Sequence, residues 1–137
     1  MIYRIQTLHL FFSFIIASFS AAYNFLQPVD PEIFQISWVQ NHFPGRFFTL
    51  SGVFSLLSLV FFKKRIPQLK INRFNILLNI VFIFVFLYFL SQKSLSNPSY
   101  GYMINICISI VLIVFLLLAS KFIRKDESLI KSVDRIR

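Results

Sequence analysis

The chain has few of the residues that punctuate and charge a water-soluble domain: one cysteine, three glycines, five prolines and five acidic side chains in 137 residues. A single cysteine excludes an internal disulfide. Cys107 also lies within an apolar run with no lipidation-like pattern before it, so it reads as a small core hydrophobe. Three glycines leave no Gly-rich phosphate loop, and no Ser-His-Asp, Cys-His or paired-carboxylate set can be assembled. None of the apolar runs contains Asp or Glu, the residues that mark proton relays inside membranes. His9 and His42 fall at opposite surfaces of a bilayer and cannot share a metal. These absences argue against an enzyme and against a proton-coupled transporter acting alone. They supply no catalytic residue, no cofactor and no metal ligand.

What is present is apolar length. Hydrophobic residues make up 57% of the chain and charged residues 14%, against about a quarter charged in soluble domains. The runs are greasy on all sides, whereas a soluble bundle needs polar faces with helical period. The nineteen Phe, with abundant Ile, Asn and Lys, fit an AT-rich coding sequence better than a stacking platform for a ligand. A bilayer core about 30 Å thick takes about 20 helical residues. Four runs qualify, over about residues 8–26, 43–62, 74–90 and 102–120. The expected fold is an all-α integral membrane protein: one domain, residues 1–137, forming an antiparallel up-down bundle of four transmembrane helices. A basic amphipathic tail, 121–137, follows.

Charge orients this bundle. Twelve of the fourteen Lys and Arg lie at Arg4, within Lys63–Arg73 and beyond Ala119, while the other two connections hold only Arg46 and Lys93. With four spans those three places share one side, and Lys/Arg-rich segments stay cytoplasmic. Asp126, Glu127 and Asp134 reduce that side to +9, and Asp30 with Glu32 cancels the opposite side, so the whole net charge lies on one face. Both termini are expected in the cytoplasm. The basic start and Ser20-Ala21-Ala22 also fit a cleavable signal, but a 19-residue run is long for one, and retention as a span is favoured.

The connections are modest. Asp30-Pro31 is a helix start, and Ile33, Ile36 and Val39 with Trp38 predict a short interfacial helix ended by Pro44-Gly45. Asn97-Pro98 and Gly101 mark a turn. The tail is expected to continue the fourth helix, with Leu129, Ile130, Val133 and Ile136 as an apolar stripe and Glu127–Lys131 as an i,i+4 pair. Its default partner is the anionic inner leaflet, worth about 1 kcal/mol per nearby basic residue. A docking partner is the sharper alternative, and seventeen residues hold no nucleic-acid recognition module.

Inside the spans the polarity is uncharged and suited to packing. Ser13, Ala17 and Ala21 form a small-residue stripe, as do Ser51 and Ser55 beside Gly52, letting backbones approach. Asn75 shares a face with Asn79, and Asn105 with Ser109. At about 1.5 Å per residue, Asn79 and Ser58 lie about 7 and 6 Å from the cytoplasmic ends of their spans, Asn105 and Asn24 about 22 and 24 Å. Two interhelical layers are therefore expected, Asn79 with Ser58 and Asn105 with Asn24.

The ends of the chain add a resemblance. Arg4-Ile5-Gln6-Thr7, the run Arg73-Phe74-Asn75-Ile76-Leu77-Leu78-Asn79, and the tail Ile123-Arg124-Lys125-Asp126-Glu127 with Leu129, Ser132 and Asp134-Arg135-Ile136-Arg137 resemble a bacterial family of small four-span membrane proteins, domain of unknown function 4293. Tyr3 departs from the pattern, which usually has Gln there. The resemblance implies an inner-membrane protein of Bacteroidota type and brings no assigned activity. Its motifs cluster on the cytoplasmic side, and an ion-pair layer of Arg4, Arg73, Arg124, Asp126 and Glu127 is expected there, with Asp126 or Glu127 facing Arg4 or Arg73. The functional expectation is a non-catalytic accessory or assembly protein working through its basic face on a membrane-protein partner. The alternative is a small oligomeric channel or transporter subunit built from copies of the chain. No small-molecule ligand can be named.

Overall fold

The computed structural model describes residues 2–26, 37–92 and 100–134; within these, the side chains at 2–4, 37–42, 63, 89, 90, 92, 100–102, 131, 133 and 134 fall outside the description. Four helices account for almost all of it: α1 (Ile2–Leu26), α2 (Ser37–Val60), α3 (Arg65–Gln92) and α4 (Tyr100–Asp134). A 3-10 turn, Phe61–Lys63, and an extended Lys64 join α2 to α3. All four helices are long and apolar enough to cross a membrane, over Ile5–Leu26, Phe43–Val60, Arg65–Tyr88 and Met103–Ile130. Each packs mainly on its two neighbours, α1 on α2 and α4, and α3 on α2 and α4. Both described ends of the chain thus share one end of the bundle with the α2–α3 turn, the basic end.

The interior is more polar than the exterior. Fifteen polar or charged side chains are buried among the described residues against eleven apolar ones, while Phe19, Leu26, Val60, Phe84 and many other large hydrophobics face outward. This is the pattern expected of helices surrounded by hydrocarbon, where apolar side chains gain nothing by hiding from lipid. The buried positions recur at alternating spacings of four and three: Gln6, Leu10, Ser13, Ala17, Ser20, Asn24 on α1; Phe48, Ser51, Ser55, Ser58 on α2; Gln68, Asn72, Asn75, Asn79, Phe82, Phe86 on α3; and Asn105, Ser109, Leu112, Leu116, Ala119, Ile123, Asp126 on α4. This is the seam of a left-handed helix bundle, with small and amide side chains where a soluble bundle places Leu.

Three expectations change. The third helix begins at Arg65 rather than near Phe74. Pro67 falls in its first turn, where a missing N–H removes no intrahelical bond, and Lys70 and Arg73 remain exposed on its flank. Pro44-Gly45 does not end a separate interfacial helix, because α2 runs through Pro44 from Ser37, so Trp38 belongs to the first turn of α2. Gly45 sits so close to the Phe25 ring that a Cβ there would lie 3.2 Å from it. Residues 27–36, with the Asp30-Pro31 start, lie outside the described residues, as does most of the turn at 91–101. Cys107 is exposed on the outer side of α4 rather than in the core. The tail does continue the fourth helix, to Asp134.

Close approach of α1 and α2 depends on Ala17, fully buried, whereas at Gly52 opposite it an added Cβ would meet the Ala17 Cβ at 3.5 Å, an ordinary contact. Gly52→Ala is therefore expected to be neutral or to stabilise by up to about 1 kcal/mol through helix propensity. Ala17→Leu wedges the helices apart and is expected to cost about 1–3 kcal/mol. Thermal unfolding followed by circular dichroism in detergent micelles distinguishes the two.

Candidate functional site

The polar groups of the interior form rungs stacked along the bundle. At the basic end the Gln6 side-chain amide of α1 donates to the Asp126 carboxylate of α4, and the Arg65 guanidinium of α3 donates to the Asp126 backbone carbonyl at 3.2 Å. Asp126 is 4% exposed, the single buried charge among the described residues, and these contacts draw α1, α3 and α4 together. Arg65 replaces the expected Arg73 because α3 starts there. Arg73, eight residues further on, lies about 12 Å along the helix and is exposed. Arg124 is exposed too, Glu127 is half-buried with a partner of its own, and the Arg4 side chain lies outside the described residues. The contact with Gln6, a residue of the Arg4–Thr7 motif, is not part of the expected layer, which pairs Asp126 or Glu127 with Arg4 or Arg73.

One rung further in, the Asn72 amide of α3 donates to Ser120 Oγ at 3.2 Å and reaches the Leu116 carbonyl at 3.5 Å, while Ser120 donates its own hydrogen to that carbonyl. The middle rung is the densest. Ser51 donates to Asn75 Oδ1 at 2.9 Å, and the Asn75 amide returns bonds to the Ser51 carbonyl and Ser55 Oγ at 3.1 Å each. Asn79 donates to Ser51 Oγ at 3.1 Å and to the Asn75 carbonyl at 2.8 Å, and Ser13 of α1 reaches Ser55 Oγ at 3.1 Å. Beyond this an aromatic block fills the axis: Phe47 stacks on Phe82 at 3.8 Å, and Phe82 packs against Phe86 at 4.3 Å and Phe48 at 5.3 Å. At the far end Asn24 and Asn105 exchange two amide hydrogen bonds at 3.0 Å, joining α1 to α4.

Of the two expected layers, the structure brings Asn24 and Asn105 together and does not pair Asn79 with Ser58. Asn79 is fourteen residues past Arg65, about 21 Å along its helix, which sets it level with Ser51. Ser58 Oγ has no hydrogen-bond partner. Neither do Gln68 Oε1, Asn72 Oδ1, Asn79 Oδ1 and His9 Nδ1, all buried atoms. A buried acceptor left in this state costs about 1–3 kcal/mol. His9 is held between the Phe115 and Phe122 rings, edge-on at 6.0 and 5.4 Å.

Chemically, the rungs hold helices together. Among the described residues no three His, Cys, Asp or Glu side chains cluster as metal ligands. A surface groove lined by Thr7, Leu8, Phe11 and Leu59 is apolar and opens outward between α1 and α2. A sequence model described as domain of unknown function (DUF4293) matches residues 2–136. No curated protein and no solved structure matches the chain.

The Asn24–Asn105 pair is a self-contained test of what a rung contributes. Asn24→Leu leaves the Asn105 amide buried without its partner, and Asn105→Leu leaves Asn24 only its bond to the Ser20 carbonyl, each at an expected cost of about 1–3 kcal/mol. The double variant is expected to be little worse than either single one, giving a clear coupling energy in a double-mutant cycle of denaturant unfolding. Asn75→Leu is expected to exceed each of them, because Ser51, Ser55 and Asn79 all lose a partner.

Proposed function

The chain belongs to the DUF4293 family, a domain of unknown function, and from that premise we propose that it is a non-catalytic accessory or assembly protein of the bacterial inner membrane. It works through its basic end, facing the cytoplasm, on a membrane-protein partner and on anionic lipid. The observation that carries this reading is the convergence of α1, α3 and α4 on the Gln6–Asp126–Arg65 contact, with Lys64, Lys70, Arg73, Lys121, Arg124 and Lys125 exposed around it. The charges are thus presented on a shaped surface of helix ends. Among the described residues the polar atoms of the interior are mostly engaged with one another, an arrangement suited to holding helices together. The cytoplasmic orientation rests on the distribution of Lys and Arg. A channel through one copy meets the Phe47–Phe82–Phe86 block, so an oligomeric pore would have to run between copies.

Two measurements test this. A reporter that is active only in the cytoplasm, fused after Arg137, is expected to be active, and an inactive but expressed fusion refutes the orientation. Photo-crosslinking in native membranes followed by affinity capture is expected to yield one heteromeric partner in stoichiometric amount. The triple variant Lys121→Glu, Arg124→Glu, Lys125→Glu is expected to lose that partner while keeping its thermal unfolding profile. Recovery of homo-oligomers alone, with solute flux in vesicles, supports the pore instead.

A further inference from the structure

Three of the unpartnered buried atoms belong to residues that the helix register sets near one level. The bonds Ser51–Asn79 and Ser55–Asn75 set the antiparallel register of α2 on α3, and continuing it toward the basic end brings Ser58 level with Asn72. Gln68 is one helical turn from Asn72 on the same stripe. Ser58 and Asn72 are 0% exposed and Gln68 is 2% exposed.

The orientation of Asn72 follows from its contacts: Ser120 gives its hydrogen to the Leu116 carbonyl, so Asn72 turns its NH2 toward α4, and Oδ1 is left without a partner. Ser13, Ser20, Ser109 and Ser120 all return their hydroxyl hydrogen to a carbonyl three or four residues earlier, and Ser58 does not. Two amide carbonyls that need a donor thus belong to the same stretch of the α2–α3 seam as a hydroxyl with no acceptor.

We propose that Ser58, Gln68 and Asn72 together form a binding site for one ordered water molecule between α2 and α3, in the basic half of the bundle. Water donates twice and accepts, so it bonds to Gln68 Oε1 and Asn72 Oδ1 while receiving the Ser58 hydrogen; three bonds are usual for a buried water. An alkali cation suits the site less well. Its three oxygens are neutral, the Asp126 carboxylate is taken by Gln6, and Arg65 lies on that side. A cation removed from bulk water needs more compensation than this set offers.

Water-edited solid-state NMR on the labelled full chain in lipid bilayers tests the site. Polarisation transfer from water to the Gln68 and Asn72 side-chain amides is expected to build up several-fold faster than to Asn24 and Asn105. Equal, slow build-up at all four overturns the proposal. A saturable shift of the Gln68 and Asn72 signals with sodium chloride but not with choline chloride overturns it in favour of a cation. In the variant Ser58→Ala, Asn72→Leu, transfer to Gln68 is expected to fall to the Asn24 level while the Asn24 and Asn105 signals stay in place. Persistence of fast transfer in that folded variant overturns the shared site, and the measurement on the unsubstituted chain stands if the variant does not fold.

Discussion

The contact on which the rest of the bundle depends is the one between α2 and α3 at Ser51, Ser55, Asn75 and Asn79. The Asn75 amide bonds to the backbone carbonyl of Ser51, an atom inside the cylinder of a neighbouring helix. Such reach requires the two backbones to lie close, and close approach requires a side chain no larger than serine at the crossing. Ser51 and Ser55 meet that condition, and Gly52 next to them meets it on the side of α1. Ser13 then ties α1 into the same rung. Once this layer is set, the four-and-three spacing leaves little choice elsewhere. Phe82 and Phe86 must follow Asn79 on the α3 stripe, and Asn72 and Gln68 must precede it.

The rungs share out the helix pairs. Gln6–Asp126 and Asn24–Asn105 join α1 to α4 at the two ends, Asn72–Ser120 joins α3 to α4, and the middle layer joins α2 to α3 and α1. Each interhelical hydrogen bond in a membrane contributes only about 0.6 kcal/mol on average, so none decides the fold by strength. Their effect is on register. A slip of α4 by one turn brings Ile123 opposite Gln6 and leaves two buried groups unpaired, a penalty larger than the bond itself. Along α2 and α3 serine and amide side chains repeat at each turn, so there the aromatic block at Phe82 and Phe86 bounds the register.

Much of this was legible in the sequence, because bilayer thickness and charge distribution act on composition alone. The number of spans, their antiparallel order and the small-residue stripes at Ser13–Ala17–Ala21 and Ser51–Ser55 follow from those constraints. The Asn24–Asn105 rung was legible for the same reason: α1 and α4 are long and uncharged around both residues, so depth could be counted reliably. Asn79 lies further along its helix than a count from Phe74 places it, because Lys70 and Arg73 do not mark the start of α3. Both are long side chains on the flank of a helix that starts at Arg65, where charged heads can extend away while their stems lie along apolar surface. Cys107 was assigned to the core by its apolar run, although in a bundle with a polar interior an apolar run marks the outside.

The basic end acquires its form from this mismatch between span and helix. α4 is 35 residues long, about 52 Å, well beyond the roughly 30 Å of a hydrocarbon core. At the basic end α4 runs beside the first residues of α1 and α3, where α2 has already given way to the 3-10 turn at Phe61–Lys63. Left alone, an overhanging basic helix would attract lipid by charge, with no preferred face. Asp126 removes that freedom. Its carboxylate would be costly to bury without a donor, and the Gln6 amide supplies one, so the overhang of α4 is pinned to α1 while Arg65 pins it to α3. Burying one acid thereby fixes the azimuth of the exposed Lys121, Arg124 and Lys125 relative to Lys70 and Arg73. Charges held in a fixed arrangement can discriminate between surfaces of equal net charge, which charges on a free tail cannot do.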